Sequence, residues 1–126
     1  METDPINFLE LVNKRRSIRK YTANPVPREI IDRCLEAARS APSACNSQPW
    51  YFIVVDDPAL RDEVSDAAFS GPYSINSFAR TAPALVIVVR EKSSKAAAIG
   101  AFFRGLQYNL IDIGIACEHF ILQAAE

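Results

Sequence analysis

The sequence predicts a single domain, residues 1–126, that contains both helices and strands, from three observations. Several segments carry apolar residues at every third or fourth position, the spacing of amphipathic helices. Two compact runs rich in β-branched and aromatic residues, Trp50–Val55 and Ala84–Val89, indicate strands. The 126 residues, of which 49% are hydrophobic and 23% charged, are enough to bury one core.

The first helix is predicted to begin at Asp4-Pro5 and to end near Lys14. An aspartate can cap the free amides of a helix start, and proline is tolerated at the first helical position. Residues 15–24 lack helical periodicity, so we expect them to run extended.

The second helix is predicted to begin at Pro27 and to end at Ala41-Pro42, because a residue before proline is disfavoured in helical dihedrals. Asp57-Pro58 repeats the capped start and predicts a short third helix. The two strands show little alternation, which is typical of strands covered on both faces. Residues 72–82 are expected to form an irregular loop.

From Ala96 to Glu126 the sequence predicts one long helix that is apolar on most of its circumference. Arg104, Asp112 and Glu118 interrupt it too regularly for a membrane span. Such a helix lies in a core or a subunit interface, and its length favours an interface. Because two strands alone do not make a stable sheet, we expect the front part of a longer fold, or a chain that needs a partner.

Composition argues against several classes of protein. The net charge of −1 gives no global attraction to nucleic acid or to a membrane surface. The N-terminus carries acids where a secretion signal needs basic residues and a long apolar run. Three cysteines without a Cys-x-x-Cys pair suit free thiols in a reducing compartment, so a cytoplasmic location is expected. Cys117, Glu118 and His119 point in different directions on a helix, so no metal site is predicted.

Arg15–Arg19, the arginine segment, concentrates guanidinium groups around one serine. In extended backbone, residues two apart share a face, which places Arg15, Ser17 and Arg19 together. The planar fork of arginine matches phosphate oxygens, and a serine hydroxyl can donate to them, so the segment is a candidate phosphate site. Two alternatives stay open. One is a solvated basic stretch after the first helix, and the other is a nucleic-acid patch, which the lack of interleaved aromatic residues disfavours.

Pro42–Gln48, the amide loop, lies between a helix end and a strand start, where ligand-reading groups are common. Asn46 and Gln48 each carry a donor and an acceptor, which can complement an imide edge such as the pyrimidine ring of a flavin. Pro42 and Pro49 restrict the loop and lower the cost of ordering it on binding. The alternative is an Asx-type turn, in which these amides bond to local backbone.

Cys45 lies within the amide loop, but the chain's single histidine, His119, is far away in sequence. Cysteine catalysis needs a base within hydrogen-bond reach. We therefore interpret Cys45 as a small, inert filler and predict no catalytic residue. The four glycines fit neither a P-loop nor a dinucleotide fingerprint.

Two motifs together resemble the FMN-dependent nitroreductase family: RRSIRKY at residues 15–21 and AARSAPSACNSQPWYF at residues 37–52. The strand APALVIVV (82–89) and the helix DIGIACEH (112–119) follow in the order that the family has. The resemblance covers essentially the whole chain but only the front part of a typical member. It implies a three-layer α+β fold, here incomplete, that dimerises through long helices and binds FMN in two symmetric interface sites.

The same resemblance implies which residues bind the cofactor. One subunit would hold the FMN phosphate and ribityl chain with Arg15, Arg16, Ser17 and Arg19. The other subunit would approach the flavin ring with Pro42, Ser43, Ala44, Asn46 and Gln48, and Asn76 is expected at the polar edge of the flavin. No catalytic side chain is implied, because the cofactor carries the chemistry.

The activity that the resemblance implies is an oxidoreduction in two half-reactions at one flavin. NAD(P)H gives a hydride to flavin N5 and leaves, and a nitroaromatic, a quinone or a similar small molecule then takes the reducing equivalents. The implied partner is a second copy of the chain in a homodimer, with neither nucleic acid nor membrane. The alternative is a truncated, non-catalytic relative that serves as a dimerisation or interaction module without bound flavin.

Overall fold

The computed structural model describes residues 7–126 and contains both helices and strands, as predicted. In chain order these elements are α1 (Phe8–Lys14), α2 (Arg28–Arg39), β1 (Trp50–Val55), α3 (Pro58–Ala68), β2 (Leu85–Arg90), α4 (Lys95–Arg104) and α5 (Tyr108–Ala125). Two 3₁₀ segments, Ala44–Asn46 and Gly71–Thr81, complete the described secondary structure.

The described chain divides into two compact units. The helical unit comprises residues 7–16, 28–51 and 89–126, and the α3 unit comprises residues 17–27 and 52–88. The predicted sites are therefore described unit by unit below.

Helix α1 belongs to the helical unit and starts where a side chain caps it. Asn7 Oδ1 accepts a hydrogen bond of 2.9 Å from Leu9 N, which satisfies one of the free amides of the first turn. The predicted end near Lys14 is confirmed, whereas the start predicted at Asp4-Pro5 lies outside the described residues.

The core of the helical unit is the packing of α2 against α5. Helix α2 buries Ile31, Cys34 and Ala38, which recur at helical spacing on one face. Its predicted end is confirmed, because α2 stops at Arg39, shortly before Ala41-Pro42. His119 on α5 donates from Nδ1 to the Ala37 carbonyl oxygen at 3.1 Å, which adds a polar tie between the two helices.

The prediction of one long helix from Ala96 to Glu126 is wrong. Helix α4 ends at Gly105, whose φ of 65° lies in the left-handed region that favours glycine. The amides of Gly105 and Leu106 both donate to the Ala101 carbonyl oxygen, which closes the helix end, and α5 starts at Tyr108. Of the helices within residues 7–126, none is both long and apolar enough to cross a bilayer.

The α3 unit contains one confirmed prediction and one correction. Asp57 Oδ1 accepts from Leu60 N at 2.9 Å, so α3 begins with the predicted cap and proline. Residues 72–82, predicted as an irregular loop, instead form most of the 3₁₀ segment Gly71–Thr81, which packs against α3. An ion pair joins Arg80 of this segment to Asp66 of α3.

Strands β1 and β2 are hydrogen-bonded neighbours in a two-stranded sheet of the described chain. The Glu91 amide donates to the Pro49 carbonyl oxygen at 2.9 Å, which joins the start of β1 to the end of β2 and makes the strands antiparallel. The prediction that both strand faces are covered is wrong for these residues. Tyr51 and Ile53 on one face of β1 remain 59% and 39% exposed, because no described layer packs on them.

Candidate functional site

The amide loop contains three non-glycine residues with left-handed backbone. The φ angles are 52° at Cys45, 51° at Asn46 and 46° at Gln48. Left-handed backbone costs an L-residue roughly 1–2 kcal/mol, and least at asparagine. Such strain persists only where surrounding contacts impose it, and it concentrates at binding sites. The amide loop is therefore a constrained segment whose constraints can be traced.

The first constraint comes from Asp112 on α5. Both of its carboxylate oxygens accept from the Ala44 amide, at 3.2 Å each, and the residue is only 4% exposed. Ala116, one turn later on the same face of α5, is fully buried. A buried carboxylate requires hydrogen-bond donors because water no longer solvates it. The pairing thus fixes the first turn of the amide loop onto α5.

The second constraint ties the loop to the start of α4. Ser47 Oγ donates to the Ala44 carbonyl oxygen at 2.5 Å and accepts from the Ser94 amide at 3.0 Å. Ser94 is also the cap of α4, where its hydroxyl accepts from the Ala97 amide at 3.3 Å. Ser47 and Ser94 therefore connect the amide loop to a helix start.

The two amide side chains of the loop pair with each other. Asn46 Oδ1 accepts from Gln48 Nε2 at 3.0 Å, and the Gln48 amide nitrogen donates to Ser43 Oγ at 2.9 Å. Neither amide side chain bonds to backbone anywhere in residues 7–126, so the Asx-turn alternative is not formed. The exposed pair keeps the Asn46 Nδ2 donors and the Gln48 Oε1 acceptor available. A donor beside an acceptor is the arrangement that an imide edge requires.

Cys45 is not a filler, which corrects the sequence interpretation. Its residue is exposed and sits in the left-handed turn of the loop. The other two thiols differ: burial raises the pKa of Cys34, with Arg33 acting in the opposite direction, and burial raises the pKa of Cys117. Within residues 7–126, no three His, Cys, Asp or Glu side chains cluster as a metal site would require.

The arginine segment leaves α1 in extended form, as predicted. Arg15 has φ −56° and ψ 134°, and no helix or strand occurs between it and α2. The Arg16 guanidinium donates to the carbonyl oxygens of Asn13 and, at 3.2 Å, of Arg15. Arg15 and Arg16 belong to the helical unit, which also contains the amide loop.

Ser17 and Arg19 belong to the α3 unit together with Asn76. The Arg19 guanidinium lies over the Phe78 ring, 6.0 Å from its centre, and donates to the Ser17 carbonyl oxygen at 3.4 Å. Phe78 and the exposed Asn76 share the 3₁₀ segment Gly71–Thr81. Arg19 is therefore located next to the segment that carries Asn76.

Carboxylates of residues 7–126 do not neutralise the charges of the arginine segment. Five other arginines in the described chain form ion pairs with acidic side chains: Arg28, Arg33, Arg39, Arg61 and Arg80. Arg15, Arg16 and Arg19 form none with any residue from 7 to 126. Their guanidinium forks remain able to bind phosphate oxygens.

The structure groups the predicted cofactor residues by unit. The helical unit holds Arg15, Arg16, Pro42, Ser43, Ala44, Asn46 and Gln48, and the α3 unit holds Ser17, Arg19 and Asn76. Convergence of the two sets from opposite protomers around one flavin stays a prediction.

Sequence reasoning missed the residues that position the site: Ser47, Phe78, Ser94 and Asp112. Asp112 had a usable signal, because an acid one turn before Ala116 on an otherwise apolar helix face is rarely buried without a partner. Ser94 also had one, since a serine directly before a helix start is a typical cap. The contacts of Ser47 and Phe78 join positions distant in sequence, so no local pattern indicated them.

Comparison with known proteins identifies relatives of this fold and site. A family model described as "Nitroreductase family" matches residues 12–75, which include the arginine segment and the amide loop. The solved structure of an FMN-dependent nitroreductase from Clostridium difficile R20291 has a TM-score of 0.71 and 29% identity, and the match covers 92% of this chain and 54% of that one. The predicted nitroreductase-like α+β fold is confirmed.

Two curated relatives differ in what they are named for. Iodotyrosine deiodinase 1 of Rattus norvegicus is 32% identical across 87% of this chain and 45% of its own length. An NADH dehydrogenase of Thermus thermophilus is 54% identical across 44% of this chain and 27% of its own length. The chain spans less than half the length of either relative.

Proposed function

This chain belongs to the nitroreductase family, and we propose that it is the FMN- and substrate-binding part of an NAD(P)H-dependent oxidoreductase. The family and its neighbours support an oxidoreductase of the flavin type. The proposed acceptors are small electron-poor molecules such as nitroaromatics and quinones.

The observation that carries the proposal is the conformation of the amide loop. Three strained residues hold an exposed Asn46–Gln48 amide pair, and a buried carboxylate on a different helix maintains that strain. A flavin ring needs a donor and an acceptor side by side along its pyrimidine edge. A loop pre-ordered in this way binds without an added ordering cost. We assign Pro42, Ser43, Ala44, Asn46 and Gln48 to the ring.

The phosphate and ribityl chain of FMN are assigned to the arginine segment. Arg15, Arg16 and Arg19 have no acidic partner within residues 7–126, and Ser17 adds a hydroxyl donor. Asn76, on the 3₁₀ segment that also carries Phe78 beneath Arg19, is assigned to the polar edge of the flavin. These residues bind and orient the cofactor, and none acts as an acid or a base.

The chemistry would come from FMN, which when bound accepts a hydride from NAD(P)H at N5 and passes two electrons to the acceptor. The protein contributes a fixed orientation, hydrogen bonds to the ring edge and a place for donor and acceptor in turn. No metal takes part in the proposal.

A homodimer completes the proposed site, with the arginine segment from one subunit and the amide loop from the other. Helix α5 supports this arrangement because it exposes Leu110, Ile111 and Ile121 by 49%, 50% and 43%. Apolar side chains along a helix that are left exposed in one chain suit an interface with a second chain. The two units would act as a single domain within each subunit.

A second candidate concerns the acceptor alone. The rat relative is named an iodotyrosine deiodinase, and its match covers most of this chain. A halogenated aromatic acceptor, reduced with release of halide, is therefore a candidate beside the nitro compounds and quinones.

The experiment is an anaerobic titration of the purified protein. After incubation with FMN and removal of excess cofactor by gel filtration, we expect a yellow dimeric protein whose flavin absorbance is bleached by NADH or NADPH. Addition of a nitroaromatic, a quinone or 3-iodotyrosine should restore the absorbance and rank the acceptors. A colourless dimer would contradict the proposal and support a non-catalytic dimerisation module.

A double variant sharpens that experiment. The double variant that carries Asn46→Ala and Gln48→Ala lacks both side-chain amides. It should bind FMN and riboflavin more weakly, because the two flavins have the same ring edge. If the affinities for FMN and riboflavin were unchanged, the amide loop would not be part of the flavin site.

A further inference from the structure

A second feature of the helical unit is a cationic cavity of about 510 Å³ beside α4. Arg90 at the end of β2, Lys92 in the connection and Lys95 at the start of α4 all line it, and no acidic side chain does. Like charges that share a cavity repel each other, and that repulsion is relieved by an anion. The cavity therefore has the charge of an anion site.

The three cations have no carboxylate partner among the described residues. Lys95 also stands in the first turn of α4, at the positive end of the helix, and that turn contains no acidic residue. A cation at this position is destabilised by the helix dipole, whereas an anion there is stabilised. A residue that is locally unfavourable, such as a cation at the positive end of a helix, is expected at functional sites.

The lining of the cavity also includes apolar and aromatic residues. Ala98, Ala101, Leu106 and Tyr108 contribute to it, and the ring of Tyr108 lies against α4 near Gly100. Gln107 and Asn109 add polar amide groups to the lining. Cationic groups that share a cavity with an aromatic ring and apolar side chains suit a ligand that combines phosphates with a nucleoside.

Two hydrogen bonds join the cationic segment to the amide loop and to Pro49, the residue directly after the loop. Glu91, between Arg90 and Lys92, donates from its amide to the Pro49 carbonyl oxygen at 2.9 Å. Ser94, directly before Lys95, donates from its amide to Ser47 Oγ at 3.0 Å. The cations therefore lie on or beside a segment that is hydrogen-bonded at one end to Ser47 of the amide loop and at the other end to Pro49, directly after that loop.

We infer that this cavity binds the phosphates of the pyridine dinucleotide that donates the hydride. The identity of the nucleotide rests on the proposed function, whereas the anion site rests on the cavity itself. A dinucleotide whose nicotinamide lies at the flavin would extend its phosphates toward this neighbouring cationic segment. Arg90, Lys92 and Lys95 then bind the donor and take no part in the hydride transfer.

Calorimetric titration with ADP-ribose tests the inference without the flavin reaction. ADP-ribose carries the adenosine and pyrophosphate of the donor but no nicotinamide. The wild-type protein should bind it, and the variant with Lys92→Gln and Lys95→Gln should bind it about tenfold more weakly. Arg104→Gln is the matched control, because Arg104 lies on the same helix, exposed and outside the cavity lining. Its affinity for ADP-ribose should equal that of the wild type.

Inorganic pyrophosphate separates a nucleotide site from a free phosphate site. Binding of pyrophosphate without binding of ADP-ribose would overturn the donor assignment. If the wild type and the double variant had equal affinities for ADP-ribose, the cavity would not be a nucleotide-binding site. Circular dichroism of each variant establishes that the fold is intact.

A kinetic arm separates this inference from the proposed function. In flavin-loaded protein, the double variant should raise KM for NADH and NADPH about tenfold with kcat unchanged. The phosphate-free donor N-benzyl-1,4-dihydronicotinamide should be used equally well by the wild type and the variant. If the protein takes up no FMN, the proposed function is contradicted. The ADP-ribose titration then still tests whether the cavity binds a nucleotide.

Discussion

The amide loop and the arginine segment are both assigned to one cofactor, yet they are built in opposite ways. Contacts from two other helices determine the loop, through Asp112 of α5 and Ser94 before α4. The arginine segment has one prominent distant contact among the described residues, the Phe78 ring beneath Arg19. The loop therefore has a shape imposed from outside, whereas the segment supplies charge.

This difference matches the two kinds of recognition that a flavin nucleotide requires. A ring edge is recognised by the direction of donors and acceptors, which demands fixed geometry. A phosphate is recognised mainly by charge, which tolerates adjustment of long side chains. Changes in the amide loop should therefore alter stability together with ring binding, and changes in the arginine segment should alter phosphate binding alone.

The largest expected effect follows loss of the Asp112 carboxylate. Asp112→Ala leaves the partly buried Ala44 amide without its acceptor and releases the strained turn, so the free energy of unfolding should fall by about 1–3 kcal/mol. Binding of FMN and of riboflavin should fall together, since both rely on the loop. Urea denaturation and fluorescence titration with each flavin measure the two quantities.

Glu118→Ala is the matched control for that change, because it removes an exposed carboxylate from the same helix. It should leave stability and flavin binding within experimental error of the wild type. If Asp112→Ala were equally harmless, the amide loop would not depend on α5.

The next effect is specific to phosphate. Arg19→Gln should weaken FMN binding about tenfold, which corresponds to ~1.4 kcal/mol, because one charge-assisted contact is lost. Riboflavin, which lacks the phosphate, should bind with unchanged affinity. Lys20→Gln serves as the neighbouring control and should change neither affinity. A parallel loss for both flavins would show that Arg19 acts through the ring site.

The third effect distinguishes the thiols. Iodoacetamide near neutral pH should alkylate Cys45 severalfold faster than Cys34 or Cys117, because burial raises the pKa of the latter two and leaves them less thiolate. Raising the pH should reduce the difference in alkylation rate between Cys45 and the other two cysteines, because Cys34 and Cys117 then ionise. Peptide mass spectrometry gives the rates. Bound FMN should slow labelling of Cys45, and an unaltered rate in flavin-loaded protein would place the ring elsewhere.

The smallest effect comes from the aromatic support of the arginine segment. Phe78→Leu removes the ring beneath Arg19 but keeps an apolar side chain, so FMN affinity should fall about threefold, as expected for an exposed cation–π contact. Riboflavin affinity should stay constant. Equilibrium dialysis with both flavins makes the comparison, and an unchanged FMN affinity would mean that Arg19 needs no support from Phe78.

Much of the secondary structure was predictable because its signals are local. Asp57-Pro58 started α3, Ala41-Pro42 ended α2, and Trp50–Val55 formed β1, each from neighbouring residues alone. The prediction of a single helix over residues 96–126 was wrong. The apolar pattern continues through Gly105, but this residue adopts left-handed backbone and ends α4. The prediction for residues 72–82 was wrong because the segment packs against α3, and that contact joins separate parts of the chain.

By itself, the sequence determined which groups are available: guanidiniums and a serine at 15–19, paired amides at 46 and 48, and the helices and strands that carry them. These groups, helices and strands follow from residue chemistry and from neighbours within one or two turns. Only the tertiary structure decided that Asp112 is buried under the amide loop, that three residues there adopt left-handed backbone and that Cys45 faces solvent. The reason is physical. The cost of a strained turn is met by hydrogen bonds from helices distant in sequence, and no local pattern records them.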